Sequence, residues 1–218
     1  MKLDFEHVSV TGLAKSYGPT LALAGVDLGF DAGTVTAIQG SNGSGKSTLL
    51  WLLAMLAYPT RGEIRYGTHR GSTSDGLRGR IGFVAHQLQL YPGLSGRENL
   101  VLAAKLQSIP YAEKRADDLC EALTLGDYWN RPVRTYSRGQ AQRVSIARAL
   151  LHEPRLLLMD EPATGLDLKS TASLIELIER ERQRAPIVIV VTHEAKFAEL
   201  VADRVLYKDR GRIVEPSA

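Results

Sequence analysis

Short β-branched apolar runs alternate along the chain with longer stretches in which apolar positions recur every three or four residues. The runs Val8–Thr11, Val26–Phe30, Val35–Gln39, Ile64–Tyr66, Ile81–Ala85, Leu156–Met159, Ile187–Val191, Val205–Tyr207 and Ile213–Val214 predict strands. LLLM at 156–159 and IVIVV at 187–191 carry no polar position, which is the pattern of strands buried on both faces. Helical periodicity covers about Lys46–Ala57, Gly96–Gln107, Ala112–Leu123, Arg138–Leu151 and Leu168–Arg182. Strands crowd the first third, two helices then follow without an intervening strand, and strand–helix alternation closes the chain. The fold class expected is α/β: a mixed β core with an antiparallel β edge and an α-helical insertion near residues 90–150, in one domain over residues 1–218.

Composition narrows the class. A chain of 218 residues with 44% hydrophobic and 23% charged positions can bury a full core without disulfides or a structural metal. Cys120 is the single cysteine, so no intrachain disulfide forms, which fits a reducing compartment. Arg131, Arg134, Arg138, Arg143 and Arg148 share one stretch, but net charge is +3 and aromatics make up 6%, so no nucleic-acid partner is expected. The N-terminus carries Asp4 and Glu6 and no apolar core, unlike a signal peptide. The run Ile187–Val191 is far short of the roughly 20 residues that span a bilayer. A cytoplasmic protein that does not itself cross a membrane is expected.

The chemistry begins at Gly40-Ser41-Asn42-Gly43-Ser44-Gly45-Lys46-Ser47, which fits G-x-x-x-x-G-K-[ST] between an apolar strand and a helix. The glycines allow successive backbone N–H groups to turn toward phosphate oxygens, and the helix N-terminus adds its positive dipole end. Lys46 would bring a charge to the β- and γ-phosphates; Ser47, followed by Thr48, would offer its hydroxyl to Mg²⁺. The strand LLLM then ends in Asp160-Glu161. A carboxylate at the C-terminal end of a buried strand sits where open α/β sheets bind ligands. Asp160 is the candidate to hold Mg²⁺, and Glu161 to polarise an attacking water. His193 follows IVIVVT in the same way and is placed to hydrogen-bond the γ-phosphate or that water. These residues describe a P-loop NTPase that uses ATP and Mg²⁺.

Tyr136-Ser137-Arg138-Gly139-Gln140, followed by AQRVSIARALLHEPRLLLMDEP, resembles the signature, helix and acidic strand of the ABC ATPases, and the resemblance covers essentially the whole chain. The usual form is L-S-G-G-Q; Tyr136 and Arg138 replace Leu and the first Gly, while Ser137, Gly139 and Gln140 match. The resemblance implies that the signature of one subunit caps the γ-phosphate held by a second copy or a homologous ATPase. It implies that Tyr17 stacks on adenine and that Ala163-Thr164-Gly165-Leu166-Asp167 touches the partner subunit. The glutamine that reaches Mg²⁺ and the attacking water falls at Gln87 or at His86 beside it, with Gln87 favoured. It further implies an integral membrane transporter subunit as partner, at the cytoplasmic face of the membrane. His86-Gln87 and LYPGLSGRENLVLAAKL are similar to the ATPase of the bacterial haem exporter of cytochrome c maturation. Exporters of drugs, polysaccharides and lipids share much of this, and an ABC ATPase with no transport role is the remaining alternative.

Overall fold

The computed structural model describes residues 4–71, 76–184 and 186–214. Numbered along the chain, the strands are β1 (His7–Tyr17), β2 (Thr20–Asp31), β3 (Val35–Gln39), β4 (Arg61–Tyr66), β5 (His69–Arg70), β6 (Ile81–Val84), β7 (Leu156–Asp160), β8 (Ile187–Val191), β9 (Arg204–Asp209) and β10 (Arg212–Val214). The α-helices are α1 (Lys46–Leu53), α2 (Gly96–Leu106), α3 (Ala112–Ala122), α4 (Arg138–Leu150), α5 (Leu168–Arg182) and α6 (Ala195–Val201).

Two sheets form. An antiparallel sheet has the order β2-β1-β4-β5; the other runs β10-β9-β3-β8-β7-β6, parallel except where β10 turns back on β9. Every residue of β3, β7 and β8 is buried. Alternate side chains of the central strands feed two cores. Leu157, Met159, Val188 and Val190 pack with Leu100, Leu119, Val144 and Leu174 of the helices on one face. Leu156, Leu158, Ile187 and Ile189 pack with Leu49, Leu50 and Leu53 of α1 and with Val8, Leu23 and Phe30 of the antiparallel sheet on the other. Two-sided burial is what the unbroken apolar runs encode. Helices α2, α3 and α4 lie between β6 and β7.

Several sequence expectations change, among them the strand expected at Val26–Phe30, which begins at Thr20. Helix α1 stops at Leu53 rather than Ala57, because Met55 enters the left-handed region (φ 57°) and the amides of both Leu56 and Ala57 turn back to the Trp51 carbonyl. Strand β1 does not stop at Thr11: Gly12 (φ 56°) makes a bulge whose amide donates to the Asp27 carboxylate at 2.7 Å, and pairing with β2 resumes at Leu13. The seven-residue α6 and the two-residue β5 go unread in the sequence, being too short to establish a period.

Candidate functional site

Strands β3, β8 and β7 lie side by side and parallel, so their C-terminal ends share one edge of the sheet. The segment Gly40–Gly45 leaves β3 there and opens α1. Gly40 (φ 150°) and Gly45 (φ 94°) hold conformations open to glycine and have no room for a side chain: a Cβ would overlap the Lys208 carbonyl at the first and the Ala22 carbonyl at the second. Gly43 (φ 80°) faces open space, with Ser41 and Asn42 exposed beside it. The loop is drawn tight against its backing, and its outer rim is free.

Lys46, 6% exposed, donates to the carbonyls of Gly40 (2.7 Å) and Ser41 (3.1 Å), so its ammonium lies inside the curl of the loop. Ser47 Oγ donates to Asp160 Oδ1 at 3.3 Å, joining the helix start to the end of β7; Thr48 is buried beneath. Burial pushes the Asp160 carboxyl up, the Ser47 hydrogen bond opposes that, and Glu161 adds to it. A buried carboxylate beside a hydroxyl, with the Lys46 ammonium engaged elsewhere, fits a divalent cation as its missing counter-charge. Among the described residues no group of three or more His, Cys, Asp and Glu could hold a metal alone. Ser47 and Asp160 would therefore hold Mg²⁺ together with phosphate oxygens and water, as is usual for this ion.

Glu161 takes a positive φ of 51°, uncommon for a non-glycine residue and often a mark of a functional position. Its amide donates to the Val191 carbonyl at 2.8 Å. Its Oε2 accepts from the His193 amide at 3.2 Å and lies 2.8 Å from His193 Nδ1, with Thr164 Oγ1 donating at 3.4 Å. The backbone turn after β7 thus aims Glu161 across at the end of β8, and the two candidate residues meet. His86 and Gln87 follow β6 on an exposed segment. His86 is close enough for its charge to act on Asp160, whereas Gln87 makes no side-chain hydrogen bond among the described residues.

Tyr17 is half exposed at the tip of the β1–β2 hairpin, under the Lys15 ammonium at 5.0 Å from the ring centroid. The same hairpin end carries Ala22, whose carbonyl backs Gly45, so Tyr17 stands beside the loop.

The signature residues do not join this cluster. Ser137 caps α4, accepting from the Gln140 amide at 3.2 Å while its own amide donates to Gln140 Oε1 at 3.0 Å. Gly139 has a packing reason of its own, since a Cβ there would come within 2.6 Å of Ser170 Oγ. Tyr136 earns its place through its hydroxyl, which accepts from the Gly96 amide at 2.9 Å, and through an edge-on contact with Tyr128. Arg138 Nε donates to the Thr164 carbonyl at 2.5 Å, and its side chain lies over Gly165. Asp167 caps α5 by accepting from the Ser170 amide at 2.7 Å. Ser137 and the start of α4 remain exposed, so a helix N-terminus with its cap is presented to the outside.

One residue behind the loop escaped sequence reasoning. Lys208, on β9 and 1% exposed, donates to the carbonyls of Ser44 (2.5 Å) and Ala22 (3.2 Å). Burial, then the Lys46 charge, brings its ammonium down to about 8. The available signal was its register: it stands two positions after buried Leu206, on the inward face of an alternating strand.

The chain is similar to several known proteins. The family model of the ABC transporter matches residues 23–164. The daunorubicin/doxorubicin resistance ATP-binding protein DrrA of Streptomyces peucetius is 36% identical over 95% of this chain, which spans 64% of that protein's length. The L-cystine transport system ATP-binding protein TcyN of Escherichia coli is 35% identical over 97% of this chain and 90% of its own. Among solved structures, the dimeric post-hydrolysis state of the ATP-binding cassette MJ0796 bound to ADP and Pi superposes with a TM-score of 0.86 at 31% identity, covering 95% of this chain and 97% of that one.

Proposed function

Since the chain belongs to the ABC transporter family of ATP-binding proteins, we propose that it binds and hydrolyses MgATP at the interface of two cassettes and so drives a separate integral membrane subunit. The observation that carries the reading is the convergence of Lys46, the Ser47–Asp160 pair and the Glu161–His193 pair on one sheet edge. The exposed N-terminus of α4, outside that cluster, supports a site completed by a second copy or a homologous ATPase, as does the dimeric form of the MJ0796 cassette.

In this reading residues 1–218 are one cassette domain with its helical insertion near 90–150. Tyr17 stacks on adenine. The backbone of Gly40, Ser41, Asn42, Gly43, Ser44 and Gly45 wraps the phosphates, with Lys46 and Thr48 at the start of the helix. Ser47, Asp160 and Gln87 would hold Mg²⁺ beside the phosphates, where it would supply positive charge against the charge of the reacting group. Lys46 turns from its own loop carbonyls toward the γ-phosphate. Glu161 accepts a proton from the attacking water, and His193 holds Glu161 in place and supports the γ-phosphate. Ser137, Gly139 and Gln140 of the facing cassette close the site. Placement at the cytoplasmic face of a membrane follows from the coupling; no helix among the described residues is long and apolar enough to cross one.

For cargo, the specific form put forward is haem export for cytochrome c maturation. It is supported by His86-Gln87 and the stretch Leu90–Leu106 alone, while the relatives carry names of a drug and of L-cystine. Glu161→Gln tests the hydrolytic reading: it should retain MgATP, accumulate ATP-dependent dimer in sedimentation, and lose nearly all turnover. Undiminished hydrolysis would remove Glu161 from its role. Co-purification from membranes should bring down a polytopic protein, and its identity decides the cargo.

A further inference from the structure

A lysine that is 1% exposed and has no carboxylate bonded to it among the described residues is an expensive thing to keep. Lys208 sits at the end of β9, directly behind the loop that leaves β3. Its two hydrogen bonds go to backbone carbonyls from different parts of the fold: Ser44 in the middle of the loop and Ala22 on the β1–β2 hairpin. The surroundings are shaped around it. Its ammonium is the second atom a Cβ at Gly45 would meet, at 3.0 Å, and its own carbonyl is what excludes a side chain at Gly40. Lys208 thus touches both ends of the glycine loop and the hairpin that backs it, while its positive charge lies on the closed side of the loop, opposite the free rim at Gly43.

We propose that Lys208 is a positioning residue for the bound triphosphate. Its ammonium pins the Ser44 carbonyl backward, which turns the following amides outward toward the phosphates, and its charge supplies a second cation behind Lys46. The proposal rests on the nucleotide reading given above and adds to it a residue outside the G-x-x-x-x-G-K-[ST] motif. A hydrophobic clamp would hold the backbone without the charge; a lysine here costs stability and adds field where an anion is to be bound. The charged groups around it are Lys46 from α1 and Asp209 on its own strand, and β2 and the loop meet it with backbone carbonyls.

The test separates affinity from stability. Lys208→Met keeps the length and removes the charge, while Lys208→Gln is neutral but can still donate to Ser44. Each is compared with the wild-type chain by fluorescence titration with MgATP, ADP and AMP, and by thermal melting. Lys208→Met should weaken MgATP by roughly tenfold, ADP less, and AMP hardly at all, because the effect follows the phosphates that reach the loop. Its melting temperature should stay level or rise, as removing a buried charge offsets the lost hydrogen bonds. A pH series gives a second readout. An anion bound in front of Lys208 favours its protonated form, so wild-type affinity should fall as pH rises from about 7.5 to about 9.5, and the slope should flatten in Lys208→Met. Equal affinity in wild type and both variants would overturn the proposal. So would a loss of affinity that is the same for AMP as for ATP and tracks a fall in melting temperature, since that is a general structural defect. Failure of the wild-type chain to bind MgATP would instead overturn the nucleotide reading itself.

Discussion

Gly45→Ala puts the phosphate loop under a load whose size follows from the geometry. At φ 94° an L-residue is outside its ordinary range, which costs about 1–3 kcal/mol. The new methyl would also overlap the Ala22 carbonyl, a backbone atom of a paired strand that cannot rotate aside. Overpacking of this kind costs typically about 1–3 kcal/mol more, and the stiffer unfolded chain returns only about 0.5 kcal/mol of it. Either the protein carries the strain, and its melting temperature falls by about 3–20 °C, or the loop slides outward and its amides lose their aim. In the second case MgATP affinity should drop by about a hundredfold. Two controls calibrate the result. Gly43→Ala, at φ 80° with nothing within 4 Å, pays only the backbone cost, and Gly79→Ala, with neither burden, should melt like the wild type. Circular-dichroism melts and a fluorescent-nucleotide titration on the three variants suffice. If Gly45→Ala both melted and bound MgATP like the wild type, the tight loop against Ala22 would be the wrong picture of this site.

Other perturbations reach different parts of the account. Tyr66→Phe removes a hydroxyl that donates to the Leu53 carbonyl at 2.6 Å inside the core, and should cost about 1–2 kcal/mol in a denaturant titration with nucleotide affinity unchanged. Arg138→Ala frees the Thr164 carbonyl, whose residue leans on Glu161, so steady-state assays should show turnover reduced severalfold at unaltered ATP affinity and stability. His152 is held below its usual 6.5, first by burial and then by the charges of Arg80 and Arg115, against the pull of the Ile81 carbonyl. The unfolded chain therefore takes up a proton that the folded chain resists, so this contribution to stability is full above pH 6.5 and is lost as the pH falls below it. Between about pH 7.5 and 5.5 the wild type should lose more stability than His152→Gln; equal losses in chemical denaturation would contradict the assignment.

Much of the site could be read from the chain because its constraints are local. Gly40 through Ser47 must be contiguous to wrap a phosphate, and Asp160 and Glu161 announce themselves as acids after four buried apolar positions. The same two-sided burial made β3, β7 and β8 legible. What stayed hidden depends on distant partners. The bulge at Gly12 is held by Asp27 on the next strand, so the break in alternation looked like the end of β1. Helix α1 ends early because Met55 adopts a left-handed turn, which its apolar side chain does not signal. The meeting of His193 with Glu161 depends on the adjacency of β7 and β8, which are separated by α5 in sequence. Lys208 looked like an ordinary polar strand end, and only the packing of β9 against β3 carries it behind the loop. The tether of Arg138 to Thr164 is a contact across 26 positions, made by a residue that departs from the family pattern.

The most direct measurement is the structure of Glu161→Gln with MgATP. The account predicts two chains, with the loop amides of residues 41–47 and Lys46 on the β- and γ-phosphates, the metal between Ser47 and Asp160, and Ser137 of the facing copy over the γ-phosphate. A triphosphate bound elsewhere, or a nucleotide enclosed by one chain with the start of α4 turned away from any partner, would contradict it.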